Sequence, residues 1–299
     1  MSPRSQWSAF VLVLASALAP SVASAQASTG ELRDEPTRHR VAGELGFFYT
    51  EFGTGELALF QPSFYGSFRL ADFGADDGTG QGTFLDLDVA WRFFGLAGDA
   101  SAFRAGNPYA GVRIGHRAQE WRARGGFGLT APLTNAYDDY RGTMGDLAGV
   151  FAIAFGAPMQ GVWDVWLASA LNMAVVLRGD FEYLGEYFAA GGEAAFAALL
   201  PVEYNGVTRD TALAAQLGVW GAGRPIPELA IGLRFQAVVL HSTEDSEAEG
   251  FLALIPFVRG QIGAGFVEGR LVMNLDDPYG FAFDDGRVWA IYVLGGADF

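Results

Sequence analysis

Residues Phe84–Phe94 read Phe-Leu-Asp-Leu-Asp-Val-Ala-Trp-Arg-Phe-Phe, and this stretch decides the class of fold. Apolar and polar side chains alternate along it. One side carries Leu85, Leu87, Val89, Trp91 and Phe93, and the other carries Asp86, Asp88, Ala90 and Arg92. A period of two predicts a β-strand with one apolar face and one polar face.

The same alternation recurs along the chain, most clearly in residues 120–129, 173–183, 229–239 and 267–275. We predict an all-β chain of about twelve antiparallel strands, although ten or fourteen also fit, because single-chain bacterial barrels have an even number. The predicted strands are 41–51, 57–70, 83–95, 107–117, 120–132, 171–184, 187–200, 211–222, 227–240, 250–261, 265–275 and 287–299.

The first 25 residues have the three parts of a secretory signal peptide. Arg4 precedes the apolar run Trp7–Ala19, Pro20 ends that run, and Ala23-Ser24-Ala25 offers small residues for cleavage before Gln26. The run is shorter than the roughly 20 residues of a membrane-spanning helix. We therefore expect Sec-type export with cleavage near Ala25, an N-terminal periplasmic lead over residues 26–40, and a β domain over 41–299.

Alternation alone does not say which strand face points inward. A soluble sandwich or barrel places its apolar face inside, whereas a membrane barrel turns that face to lipid and its charges to the lumen. Export without any cysteine, strands of about 10–13 residues and a C-terminal Phe299 favour the membrane barrel.

On these features the chain resembles the outer-membrane β-barrel proteins of Gram-negative bacteria, at the level of the class. The final segment places Trp289, Ile291, Val293 and Phe299 on one face. The resemblance implies that the barrel-assembly machinery reads this segment, with Phe299 as the assembly signal. It also implies the cell outer membrane as the location, with membrane lipid and lipopolysaccharide as neighbours.

The charges and composition exclude several functions. The formal net charge is −15, with 34 acidic and 19 basic residues, and such a surface disfavours nucleic acid. Every basic residue is Arg and there is no Cys, which removes lysine, cysteine and thiolate-metal chemistry. We predict no cofactor and no metal site. The oligomeric state is left open.

Residues 133–170 are too long for an ordinary connection. Gly145–Phe155 lacks strand alternation and has a weak helical character, and Trp163-Asp164-Val165-Trp166 follows it. Our hypothesis is a partly helical loop that folds into the lumen and narrows it, as the third external loop does in many porins. A surface loop, or two more strands at 145–157 and 160–168, fits the sequence equally well.

The polar strand faces are predicted to line the lumen with both signs of charge. Such rows can select polar or zwitterionic solutes, or they can pair and fill a narrow bore. The predicted pore-lining residues are Arg69, Asp86, Asp88, Arg92, Arg113, Glu120, Arg122, Arg124, Arg178, Asp180, Glu182, Glu193, Arg234, Arg259, Glu268 and Arg270.

We predict a porin-like channel for passive diffusion of small polar solutes. The alternatives are a non-conducting structural or adhesive barrel that acts through acidic external loops, a hydrophobic-ligand transporter and an outer-membrane hydrolase. The acidic loops carry Glu244, Asp245, Glu247 and Glu249, and Asp276, Asp277, Asp284 and Asp285.

No enzyme is predicted, because the three histidines do not suggest a catalytic group. His39 falls in the lead, His116 is expected to face lipid, and His241 precedes Ser242 on a strand. Side chains of successive strand residues point to opposite faces, so these last two do not form a nucleophile–base pair.

Overall fold

The strands form one closed antiparallel barrel. The computed structural model describes residues 39–52, 55–73, 81–98, 101–118, 120–134, 144–202, 211–242, 248–276 and 289–299. The predicted signal peptide, most of the predicted lead and most of the acidic loops lie outside these residues. The strands are β1 (His39–Phe52), β2 (Gly55–Asp72), β3 (Gly82–Gly98), β4 (Ala102–Ala105), β5 (Tyr109–Arg117), β6 (Trp121–Thr130), β7 (Asn172–Leu184), β8 (Phe188–Pro201), β9 (Ala212–Ile226), β10 (Leu229–Ser242), β11 (Ala248–Ile262), β12 (Gly265–Asn274) and β13 (Trp289–Asp298).

Twelve of these strands close the ring, and each corresponds to one predicted strand. Neighbours along the chain pair with each other, and β1 pairs with β13 to close the barrel. The short β4 was not predicted. Within the described residues it pairs with β3 alone, along the part of β3 that follows its pairing with β5. β1 begins at His39, so the predicted lead ends before residue 39.

Apolar side chains cover the outside of the barrel, and charges lie inside it. Large apolar residues with exposed side chains include Phe47, Trp91, Ile114, Phe127, Leu129, Leu177, Phe181, Phe196, Leu217, Val219, Ile231, Leu233, Val258, Val267, Ile291 and Val293. The charged residues at alternate positions of the same strands are buried. This arrangement is the reverse of a water-soluble protein and is that of a membrane barrel.

The two ends of the barrel differ. Short connections at 118–120, 185–187, 227–228 and 263–264 lie at one end, here called the turn end. Most of the longer connections, including residues 131–171, lie at the opposite end, here called the loop end. Two connections depart from this division, since 73–81 is long but lies at the turn end and 53–54 is short but lies at the loop end. Both termini of the barrel lie at the turn end, where His39 and Phe299 exchange two backbone hydrogen bonds of 2.6 and 2.9 Å.

The segment between β6 and β7 enters the barrel. Helix α1 (Met144–Met159) is followed by a 3-10 helix at Val165–Leu167. We call residues 144–171 the plug segment. Neither helix, among the residues described, is long and apolar enough to cross a membrane. The hypothesis of a partly helical loop folded into the lumen is confirmed, and the alternatives of a surface loop and of two extra strands are wrong.

Helix α1 lies in the loop-end half of the lumen and packs apolar side chains against one side of the barrel wall. Ala152, Ile153 and Met159 share one buried cluster with residues of six barrel strands, among them Phe48 and Phe94. Gly156 permits the close approach to β3, because a Cβ there would lie 2.2 Å from the Phe94 ring. The helix therefore packs as part of a core that the barrel encloses.

An ion pair stabilises the seam between the first and last strands. Arg40 Nε donates to Asp298 Oδ1 at 2.6 Å, and both side chains are largely buried. Asp298→Ala removes the carboxylate that this buried guanidinium binds, so we expect a loss of about 3 kcal/mol in the free energy of unfolding. Guanidinium unfolding in detergent micelles measures it.

The exchanged pair Arg40→Asp with Asp298→Arg is the control for this seam. It restores one positive and one negative group across β1 and β13. We expect it to recover most of the lost stability, and an unchanged unfolding midpoint in Asp298→Ala would contradict the role given to the pair.

Candidate functional site

The inner face of the barrel wall carries the predicted charged residues, with one exception. Their strand positions alternate with the exposed apolar ones, and their side chains are shielded from solvent. The inward residues are Arg69, Asp86, Asp88, Arg92, Arg113, Arg122, Arg124, Arg178, Asp180, Glu182, Glu193, Arg234, Arg259, Glu268 and Arg270. Whether they line a conducting pore is addressed below as a proposal.

Glu120 requires a correction. It lies exposed in the turn before β6, because that strand begins at Trp121, and its backbone carbonyl accepts a hydrogen bond from Leu184. It is therefore not part of the inner face. The alternation in residues 120–129 extended the predicted strand one residue too far into the turn.

Inward arginines and carboxylates pair between adjacent or next-but-one strands in the turn-end half. Arg69 Nε donates to Asp86 at 2.7 Å, and Arg124 Nε donates to Asp180 at 2.9 Å. Arg113 contacts both Asp88 and Asp180. The other wall pairs are Arg122–Glu182, Arg178–Glu193, Arg234–Glu193, Arg259–Glu268 and Arg270–Glu44. Each pair reduces the cost of placing charge inside the barrel.

The plug segment crosses the lumen between nearly opposite walls. Gln160 Nε2 donates to Glu44 Oε1 of β1 at 2.6 Å. Asp164 and Gln216 of β9 exchange two hydrogen bonds of 3.0 Å. Four strands separate β1 from β9 on one side of the ring and six on the other. Residues 160–164, which we call the bridge, thus connect the two sides of the barrel.

Polar side chains of the wall hold the rest of the plug segment. Gln61 Nε2 donates to the Gly156 carbonyl at 2.8 Å, and Asn274 Nδ2 donates to the Pro158 carbonyl at 2.8 Å. Asn107 Nδ2 donates to the Trp166 carbonyl at 3.0 Å. The wall therefore satisfies plug carbonyls that the helix leaves free.

The sequence prediction missed these uncharged groups because it counted only charged residues on the inner face. Gln61, Gln216 and Asn274 lie at the same inward positions of the period-two pattern as the charged residues. The alternation therefore contained the signal for the wall side of the contacts. The plug side carries no such period, so Gln160 and Asp164 could not be assigned in the same way.

The histidines lie apart from one another. His39 starts β1 and its ring lies 5.7 Å from that of Phe299. His116 is exposed on the outer face beside Trp121, as expected. His241 and Ser242 end β10 at successive strand positions. In the described residues, no group of three or more metal-ligating side chains is close enough to hold an ion.

The barrel has counterparts among solved structures. An outer membrane channel from Pseudomonas putida F1 superposes with a TM-score of 0.60 at 10% sequence identity, over 92% of this chain and 100% of that one. The chain has the fold of the outer-membrane β-barrel proteins. At such low identity the likeness concerns the fold alone.

Two more distant barrels complete the comparison. The transport unit of the autotransporter AIDA-I from Escherichia coli has a TM-score of 0.44 and 10% identity, over 92% of this chain and 93% of that one. The outer-membrane protein OmpT of Vibrio cholerae has a TM-score of 0.42 and 9% identity, over 87% and 96%. No protein-family profile and no curated protein matches the chain.

Proposed function

We propose that this protein is a channel of the outer membrane through which small polar solutes diffuse, and that the plug segment sets its size limit. The observation that carries the proposal is the polar attachment of the bridge. Gln160–Glu44 and Asp164–Gln216 are hydrogen bonds that water can replace at small net cost. An apolar seal at this level would resist hydration.

The charged turn-end half supports the same function. Paired Arg and carboxylate groups give the wall a charged lining, which favours polar or zwitterionic solutes over apolar ones. Helix α1 lies in the apolar loop-end half, so it narrows the entrance while the plug segment is in place.

Planar-bilayer recording of the refolded protein tests the channel. We expect small discrete conductance steps, and larger or more frequent steps in the double variant Gln160→Ala with Gln216→Ala, because both bridge attachments are lost. Gln261→Ala, on the inner face near the turn at 263–264, removes a similar amide away from the bridge and is the control. The absence of conductance steps from the wild type, the double variant and Gln261→Ala would contradict the channel.

A non-conducting barrel is the second candidate, and the burial of the inner charges favours it. Arg92, Asp88, Glu182 and Glu268 are all fully buried, which indicates a filled interior in the plugged state. Under this alternative the external loops would carry the function. The bilayer recording above separates the two candidates.

The remaining expectations belong to the same proposal. Export would remove residues up to Ala25, and N-terminal sequencing of protein from outer membranes should begin at Gln26. Phe299, which is 61% exposed at the turn end, would be presented to the assembly machinery. Outer-membrane lipid and lipopolysaccharide would surround the apolar belt, and no enzymatic activity is proposed.

A further inference from the structure

Arg92 differs from the arginines paired along the wall. It lies on the inner face of β3, is 0% exposed, and has no carboxylate oxygen within ion-pair distance in the described structure. Its Nη1 donates to the backbone carbonyl of Trp163 at 3.2 Å. Its Nε and Nη2 have no hydrogen-bond partner.

The carboxylates that act on Arg92 are engaged elsewhere. Glu44 and Asp164 interact with it electrostatically without contacting it. Glu44 accepts from Arg270, Gln160 and Tyr65. Asp164 is held by Gln216. One positive charge at the level of the bridge therefore lacks a partner of its own.

A second unpaired polar group lies beside this guanidinium. Ser63 of β2 is directly opposite Arg92 in the strand register, and both face inward. The Ser63 Oγ is buried beside the Tyr65 hydroxyl, which also lies near Arg92, and it has no charged partner. The Ser63 hydroxyl and the Nε and Nη2 groups of Arg92 form a set of donors that no carboxylate of the described structure accepts from.

We propose that Arg92 and Ser63 bind the carboxylate group of a small organic anion through the Nε and Nη2 groups of Arg92, and that the anion displaces the bridge, whose Trp163 carbonyl contacts Nη1 of the same guanidinium. The inference rests on the proposed channel and names its preferred solutes. A carboxylate matches the guanidinium fork with two parallel hydrogen bonds, which a carbonyl does not. A monoanion is favoured because a single positive charge is uncompensated.

The bridge is built in a conformation that favours its displacement. Gly161, Val162 and Asp164 have φ values of +64°, +60° and +51°. The left-handed region is unfavourable for a β-branched residue such as Val162. The surrounding contacts impose this conformation, and release of the bridge relieves it.

Thermal unfolding of the full-length folded protein in detergent tests the site. The probes are glycolate and its uncharged amide, glycolamide, at constant ionic strength. We expect glycolate to raise the unfolding temperature saturably and glycolamide to have no effect. Ser63→Ala should weaken glycolate binding about tenfold, since it removes one hydrogen bond to a charged group.

The Arg92 variants distinguish binding from a purely structural role. Arg92→Gln should abolish the glycolate effect and unfold at a higher temperature than the unliganded wild type, because it removes an unpaired buried charge. Arg117→Gln, at the turn end of β5, removes one guanidinium away from the bridge and should keep the glycolate response. An equal response in Arg92→Gln and wild type would overturn the proposal.

Bilayer recording separates this inference from the channel itself. In liposome-swelling assays, which follow charged and uncharged solutes alike, glycolate should permeate faster than glycolamide through the wild type, and the preference should disappear in Arg92→Gln. If the protein shows conductance steps but glycolate does not raise its unfolding temperature, the channel is supported and the binding site is rejected. If glycolate raises the unfolding temperature in an Arg92-dependent way but no conductance steps are seen, the binding site is supported and the channel is rejected.

Discussion

Replacing residues 135–170 with a short Gly/Ser linker is expected to raise the single-channel conductance by about an order of magnitude, because it removes a helix of about 10 Å diameter from the lumen. The ends of the excised segment are close, since the Leu171 N–H donates to the Thr134 carbonyl at 3.2 Å. The barrel strands pair only with one another and keep their ladder. Planar-bilayer recording measures the change.

Phe151→Ala is the control for this excision. Phe151 lies on α1 with about half of its side chain exposed, so its truncation leaves the packed face of the helix intact. We expect near wild-type conductance from it. An excised protein that remains folded, with heat-modifiable migration on a gel, but conducts no better than the wild type would show that residues 144–171 do not limit passage.

Asp180→Ala is expected to reduce the free energy of unfolding by about 3–5 kcal/mol, the range for removing one partner of a buried ion pair. Asp180 contacts both Arg113 and Arg124, and all three side chains are less than a tenth exposed. The substitution removes the carboxylate that both guanidiniums share. Guanidinium unfolding in detergent or lipid, followed by tryptophan fluorescence, measures the loss.

Asp72→Ala supplies the matched comparison. Asp72 also pairs with an arginine, Arg69, at 2.7 Å, but its side chain is 52% exposed. Exposed pairs contribute about 0–1 kcal/mol, so we expect little change in stability. Similar losses in Asp72→Ala and Asp180→Ala would mean that burial does not determine the strength of these pairs.

The strands and their faces could be predicted because β-structure places side chains with a period of two. In β3, Asp86, Asp88 and Arg92 alternate with Leu87 and Trp91, and the pattern alone assigned them to one wall. The inward orientation came from the export signal and the C-terminal Phe. It follows that the wall charges were found without any knowledge of the tertiary structure.

The plug segment could be recognised but its path could not. Helix α1 is apolar on all sides, so it lacks the periodic contrast that shows which face packs against a wall. The strand β4 is only four residues long, which is too short for alternation to be recognised. Arg92 lacks a carboxylate partner because the nearby carboxylates pair with other residues in the fold. The sequence alone does not show which pairs form.

The seam between β1 and β13 has a consequence for biogenesis. One hydrogen-bonding edge of β1 pairs with β13 (Trp289–Asp298), so the barrel cannot close before that strand is present. A chain shortened before Trp289 would present an open edge in hydrocarbon, where unpaired N–H and C=O groups are costly. Such truncated products should be cleared by periplasmic proteolysis instead of accumulating as inserted barrels.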